Sequence, residues 1–145
     1  YKNAFAAIPL LVSFIPMLMD TGGNCGSQSS TLIIRGIALG EIRFSDLFRV
    51  MFKEFRVSLI VGVVLALANG LRILIMYRNA GLALVIGLSL VATVIISKLI
   101  GCLLPLFAKK LHMDPAIMAS PLITTLVDTC SILIYFNIAT RIFQL

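Results

Sequence analysis

The stretch from Val57 to Phe107 decides the fold. It reads VSLIVGVVLALANGLRILIMY over residues 57–77, then Arg78-Asn79-Ala80-Gly81, then LALVIGLSLVATVIISKLIGCLLPLF over residues 82–107. Each apolar run reaches the ~20 residues that a helix needs to cross a hydrocarbon core about 30 Å thick. The short connection leaves room only for a tight hairpin, so the two runs predict antiparallel neighbouring helices.

Composition extends this reading to the whole chain. Of 145 residues, 60% are hydrophobic and 12% charged, against about 45–50% and 25% in soluble domains. A water-soluble enzyme domain, a disordered tail and a coiled coil are excluded. The chain opens at Tyr1 without a Met, and its first apolar segment lacks a signal-peptide cleavage pattern. It therefore reads as a membrane piece of a longer protein, with at least one further span upstream.

Outward from the central hairpin, a first apolar element covers residues 4–40, interrupted by the small and polar run from Asp20 to Ser30. As one straight helix it would be about 55 Å long, so it must tilt, kink or break, with Pro9, Pro16 and Gly22-Gly23 as the weak points. Residues 44–56 place Phe44, Leu47, Phe48, Met51, Phe52 and Phe55 at helical spacing among charged residues, which predicts an amphipathic surface helix capped by Ser45. Asp114-Pro115 is a helix-start signal, and a fourth span follows over residues 116–141. The expected architecture is an all-α, polytopic membrane bundle forming one domain over residues 1–145, with spans at about 4–40, 57–77, 82–107 and 116–141.

Twelve basic and six acidic residues give a net charge of +6. The basic residues cluster between apolar runs without aromatic interleaving, so they indicate topology and lipid attraction and no nucleic-acid partner. Arg43, Arg49, Lys53, Arg56, Lys109 and Lys110 fall on one side, and Lys2, Arg78 and Arg141 on the other. This bias puts residues 41–56 and 109–115 in the cytoplasm and the C-terminus outside, in the cell (plasma or inner) membrane. Cys25, Cys102 and Cys130 have neither disulfide nor zinc spacing and read as packed thiols, and His112 as a surface residue.

A charge at mid-bilayer costs at least ~2.5–3.5 kcal/mol, so each needs a reason. In the fourth span Ser120, Pro121, Thr124, Asp128, Ser131 and Tyr135 share an arc of about 100°. A polar stripe centred on a carboxylate suits a water-lined cation path. The alternative is a helix contact in which Asp128 pairs with Arg35, Arg72 or Lys98. On the first element, Ser13, Asp20, Asn24, Ser27, Gln28, Thr31 and Arg35 share a face. Gly22, Gly23 and Gly26 either let helices approach closely or open onto a polar cavity. A phosphate loop, a transition-metal cluster and a nucleophile–base pair are not found, so catalysis is not expected.

Two motifs then carry a resemblance: Pro16-Met17-Leu18-Met19-Asp20-Thr21-Gly22-Gly23-Asn24-Cys25-Gly26-Ser27-Gln28-Ser29 and Pro121-Leu122-Ile123-Thr124-Thr125-Leu126-Val127-Asp128. Together with Lys53-Glu54, Asp114-Pro115 and Leu133-Ile134-Tyr135, they resemble the membrane domain of the MgtE family of magnesium channels and transporters over essentially the whole chain. The resemblance implies spans two to five of a five-span subunit, a homodimeric pore in the lipid bilayer, and cytosolic regulatory domains elsewhere in the full-length chain. It implies that Asp128 binds Mg²⁺, with Thr124, Ser120 and Asn24 beside it. Gly22, Gly23, Gln28, Pro121, Thr125 and Ser131 are expected as pore-lining or motif residues, and Asp20 as an accessory one. The expected function is a channel passing hydrated Mg²⁺ into the cytoplasm, with Mn²⁺ or Co²⁺ as further ions. A Na⁺- or H⁺-coupled transporter and a non-transporting assembly domain are the alternatives.

Overall fold

The computed structural model describes residues 9–144 and is an all-α bundle with no strand among them. Lys2, counted above for topology, and residues 4–8 of the first expected span lie outside the described residues. Four long helices follow in order: α1 (Ile15–Ala38), α2 (Leu47–Tyr77), α3 (Ala80–Lys110) and α4 (Ser120–Phe143). Short 3-10 turns at Phe44–Asp46 and Pro115–Met118 precede α2 and α4. Three segments, Phe44–Tyr77, Ala80–Lys110 and Ser120–Phe143, are long and apolar enough to cross a membrane. Helix α1 matches α4 at 24 residues but devotes its length to glycine and polar side chains.

The first element breaks at Phe14, with residues 9–13 helical before it. Pro16 explains the position, since it has no N–H to give to a carbonyl four residues back. The Gly22-Gly23 pair does not break the helix, and α1 runs through it to Ala38. Helix α2 joins the expected surface segment and the second span into one unbroken rod of 31 residues. At about 46 Å it outruns the hydrocarbon core by roughly three turns, which accommodates the charged residues 49–56 at its start. Ser45 is not its cap: Asp46 holds that position, and its carboxylate accepts from Arg43 N–H at 3.0 Å.

The hairpin forms as the sequence reading expects. Arg78 ends α2 in the left-handed region (φ 49°), and Asn79 Oδ1 caps α3 by accepting from Leu82 N at 3.1 Å. Asp114 likewise accepts from Ala116 N at 3.0 Å, but the helix it starts is only the 3-10 turn at Pro115–Met118. Ala119 is extended and α4 starts afresh at Ser120, because Pro121 cannot donate back to Ile117.

Helix α3 is the most buried and packs against the other three. One apolar cluster gathers Leu82, Val85, Ile86 and Leu90 with Ile73, Leu18 and Tyr135 near the hairpin end. A second joins Ile33, Val50, Cys102 and Leu106 to Ile37, Ile42, Phe44, Leu47 and Met51 at the opposite end. There Lys110 Nζ sits 4.3 Å from the Phe44 ring centroid, so residues 41–46 and 111–119 occupy the same end of the bundle. Phe48 and Phe52, expected on one apolar face with Phe44 and Met51, instead point outward.

Candidate functional site

The glycines of α1 set the geometry. A Cβ on Gly22 would lie 2.8 Å from Thr93 Cγ2 and from Val127 Cγ1, and one on Gly26 would lie 2.8 Å from Ile123 Cγ2. Gly101 of α3 meets the backbone of Gly26 directly. Helix α1 is therefore seated against α3 and α4 at backbone distance, which only glycine permits.

Seating those glycines inward turns the neighbouring positions outward. Met19, Asp20, Gly23 and Asn24 of α1 then face Thr124 and Asp128 of α4 across a cavity of about 290 Å³. A Cβ on Gly23 would stand 3.1 Å from Thr124 Cγ2 and 4.0 Å from Asp128 Oδ1, so its missing side chain keeps the carboxylate open to the cavity. One turn away the hydroxyls of Ser27 and Ser120 meet at 3.0 Å and tie the two helices together. Thr124 Oγ1 donates to the carbonyls of Ser120 (2.9 Å) and Pro121 (3.1 Å), leaving its oxygen free to accept from water.

Asp128 has no ion-pair partner among the described residues. Lys98 pairs instead with Glu54 (3.6 Å), and Arg72 reaches Met17 Sδ at 3.8 Å. Arg35 lines a separate cavity with Lys53, Glu41 and Glu54. No group of three His, Cys, Asp or Glu side chains converges among the described residues. The cavity therefore offers one or two carboxylates, an amide and a hydroxyl, an oxygen-rich lining suited to a cation that keeps its water.

The structure brings together Asp20, Gly23, Asn24, Thr124 and Asp128, and sets Ser120 one turn away on the same edge of α4. Other expected residues lie elsewhere. Gly22 is a packing position. Ser131 is buried, its Oγ against Gly22 and without a hydrogen-bond partner among the described residues. Tyr135, at the end of the same stripe, is fully buried and donates to Leu11 O at 2.6 Å. Pro121 accepts from Thr125 Oγ1 at 2.9 Å on an exposed flank. Gln28 reaches Lys98 Nζ at 3.5 Å. Sequence reasoning missed Glu54, placed on a solvated face but 7% exposed and buried between helices. Val50 and Ser58, four residues to either side, are buried on the same face of α2, but with two of the three positions polar no apolar stripe marks that face in the sequence.

Residues 15–138 match the sequence profile of the MgtE family, described as a divalent cation transporter. The chain is 39% identical over 140 residues to a magnesium transporter MgtE of Bacillus subtilis, covering 97% of this chain and 31% of that protein. It is 36% identical over 146 residues to a magnesium transporter MgtE of Thermus thermophilus, covering 99% of this chain and 32% of that protein. A third of that name, from Enterococcus faecalis, is 34% identical over 140 residues, 97% of this chain and 31% of that protein. The chain thus spans about a third of the length of these curated relatives. With the family profile matched from the start of α1 to near the end of α4, this chain belongs to the MgtE family of divalent cation transporters.

Proposed function

We propose that this chain forms the ion-conducting part of a magnesium channel, passing hydrated Mg²⁺ into the cytoplasm between two copies of itself. The observation that carries the reading is Asp128, a carboxylate within a membrane helix that faces an open cavity with no counter-charge among the described residues. An unpaired intramembrane carboxylate is costly and waits for a cation. The name that the relatives carry, magnesium transporter, supports Mg²⁺ as that cation.

Mg²⁺ sheds water reluctantly and holds an octahedral shell at about 2.0–2.1 Å. A water needs about 10–15 Å³ of the space its centre can occupy, so the cavity of about 290 Å³ has room for a six-water shell. Asp128 supplies the negative field, while Thr124, Ser120 and Asn24 accept hydrogen bonds from the coordinated waters. Asp20 adds charge at the other wall. Because recognition runs through water, Mn²⁺ and Co²⁺ are expected to pass as well. The membrane potential supplies about 2.3 kcal/mol per charge per 100 mV, twice that for a dication, so no coupled ion is required.

The test is Mg²⁺ uptake into proteoliposomes under an imposed potential without a Na⁺ or H⁺ gradient. Asp128→Asn and Asp128→Ala should reduce uptake at least tenfold, with the protein still folded. Undiminished uptake by either would remove Asp128 from the path, and uptake only with a Na⁺ or H⁺ gradient would replace the channel by a coupled carrier.

A further inference from the structure

Away from the Asp128 cavity, a second set of charged groups is buried where α1, α2 and α3 meet. Lys98 of α3 is 3% exposed and Glu54 of α2 is 7% exposed. Their Nζ–Oε2 separation is 3.6 Å. Ser29 of α1 lies between them, donating to Glu54 Oε2 at 2.6 Å and accepting from Lys98 Nζ at 3.3 Å. Gln28 Oε1 takes the ammonium's remaining reach at 3.5 Å. One ammonium thus faces three oxygens drawn from two helices, a tethered cation in an oxygen cage.

Stability gives little reason for such a cluster. Removing a carboxylate and an ammonium from water costs several kcal/mol per ion, and a packed apolar pair is often as stable. Its placement gives a better one. Gln28 stands one turn beyond Asn24 and two beyond Asp20 on the same stripe of α1. That stripe forms one wall of the Asp128 cavity. A side-chain tip lies about 5–6 Å from its helix axis, so a rotation of α1 by about 10° moves the tip by roughly 1 Å. The glycines set how near α1 approaches but carry no directional bond, and Ser27 with Ser120 and Ser30 with the Met118 carbonyl hold α1 on the α4 side only. Among the described residues, the hydrogen bonds from Lys98 to Gln28 and Ser29 supply that direction from α3.

We propose that Lys98, with its charge balanced by Glu54, is a positioning residue for the cation site: through Gln28 and Ser29 it fixes the rotation of α1 that presents Asn24 and Asp20 to Asp128. The inference rests on the proposed function, and Asp128→Asn tests that reading separately.

Lys98→Met alone strands the Glu54 charge and endangers folding, so the informative protein is the double variant Lys98→Met/Glu54→Gln, which removes both charges at near-constant volume. Gln28→Ala is the companion, because Gln28 is exposed and its loss spares the core. In the Mg²⁺ uptake assay each should raise the half-saturating Mg²⁺ concentration about tenfold, the lower end of the scale for losing a hydrogen bond to a charged group, as suits the long 3.5 Å contact of Gln28. The maximal rate should change much less, and melting of the double variant should stay near that of the parent. Combining the two sets should raise half-saturation no further, since both break the same link. Unchanged half-saturation in the double variant, or effects that multiply in the combined one, would overturn the inference while leaving Asp128 in place. If Asp128→Asn transports normally, the site reading fails instead, and with it the object being positioned.

Discussion

Gly22→Ala tests the seating of α1 on which the cavity depends. The added methyl would lie 2.8 Å from Thr93 Cγ2, 2.8 Å from Val127 Cγ1 and 3.0 Å from Ser131 Oγ. Carbon pairs rest at about 3.5–4.0 Å, so the shortfall is roughly 1 Å on two sides. Thr93 and Val127 are β-branched residues in helices with few χ1 alternatives, so neither methyl moves aside cheaply. Helix α1 must therefore retreat by about 1 Å, at an overpacking cost of about 1–3 kcal/mol. The same retreat draws Gly23 and Asn24 away from Thr124 and Asp128, so Mg²⁺ uptake should fall alongside stability. The control is a host carrying Thr93→Ser and Val127→Ala, which lack both obstructing methyls. There Gly22→Ala should cost at least about 1 kcal/mol less than in the parent, a coupling of the size seen between touching residues. Equilibrium unfolding of the purified protein in detergent, followed by circular dichroism, reads both costs. Equal costs in the two hosts, within about 0.5 kcal/mol, would refute the claim that α1 rests on these side chains.

Other expectations separate the cavity from its surroundings. Ser131→Ala removes a buried hydroxyl with no partner among the described residues, so melting should hold or rise by up to about 1 kcal/mol with uptake unaltered; a selective loss of uptake would return Ser131 to the ion path. Thr124→Val keeps the side chain's shape but removes its oxygen from the cavity wall and its hydrogen bonds to the Ser120 and Pro121 carbonyls, and should slow uptake while costing no more than about 0.5–1.5 kcal/mol in unfolding, the net worth of a hydrogen bond. Tyr135→Phe strands the Leu11 carbonyl that the phenol now satisfies at 2.6 Å. It should cost about 1–3 kcal/mol in unfolding measurements, and an unchanged melt would mean that water replaces the phenol.

Much of this protein was legible from residue order, for a reason particular to lipid. A membrane helix must satisfy its own backbone and present apolar length, and both are local properties. The runs over residues 57–77 and 82–107, the Arg78-Asn79 hairpin and the Asp114 cap could therefore be read without tertiary knowledge. Helix bounds were read less well wherever proline acted. Among the weak points named for the first element, Pro16 sets the break at Phe14 and Gly22-Gly23 does not break it, while Pro121 split the fourth span at Ala119. In both cases a missing N–H outweighed the apolar pattern around it.

The candidate site was legible as a set of residue types on two faces, and its membership was not. Periodicity places Ser120, Thr124, Asp128, Ser131 and Tyr135 on one arc of α4, yet an arc of about 100° is wide enough to meet two environments. Where the glycines of α1 dock decides the division, with Thr124 and Asp128 left at the cavity and Ser131 and Tyr135 turned inside. The partner of Lys98 was likewise beyond periodicity, since Glu54 lies 44 residues earlier on a helix whose start reads as a solvated surface. Residue order alone determined that the chain is a bundle of long helices made for lipid, carrying a carboxylate that needs a reason to be there. Only the packing of three helices decided that the carboxylate goes unpaired while the lysine does not, because which charges meet depends on rotations about helix axes that no local pattern encodes.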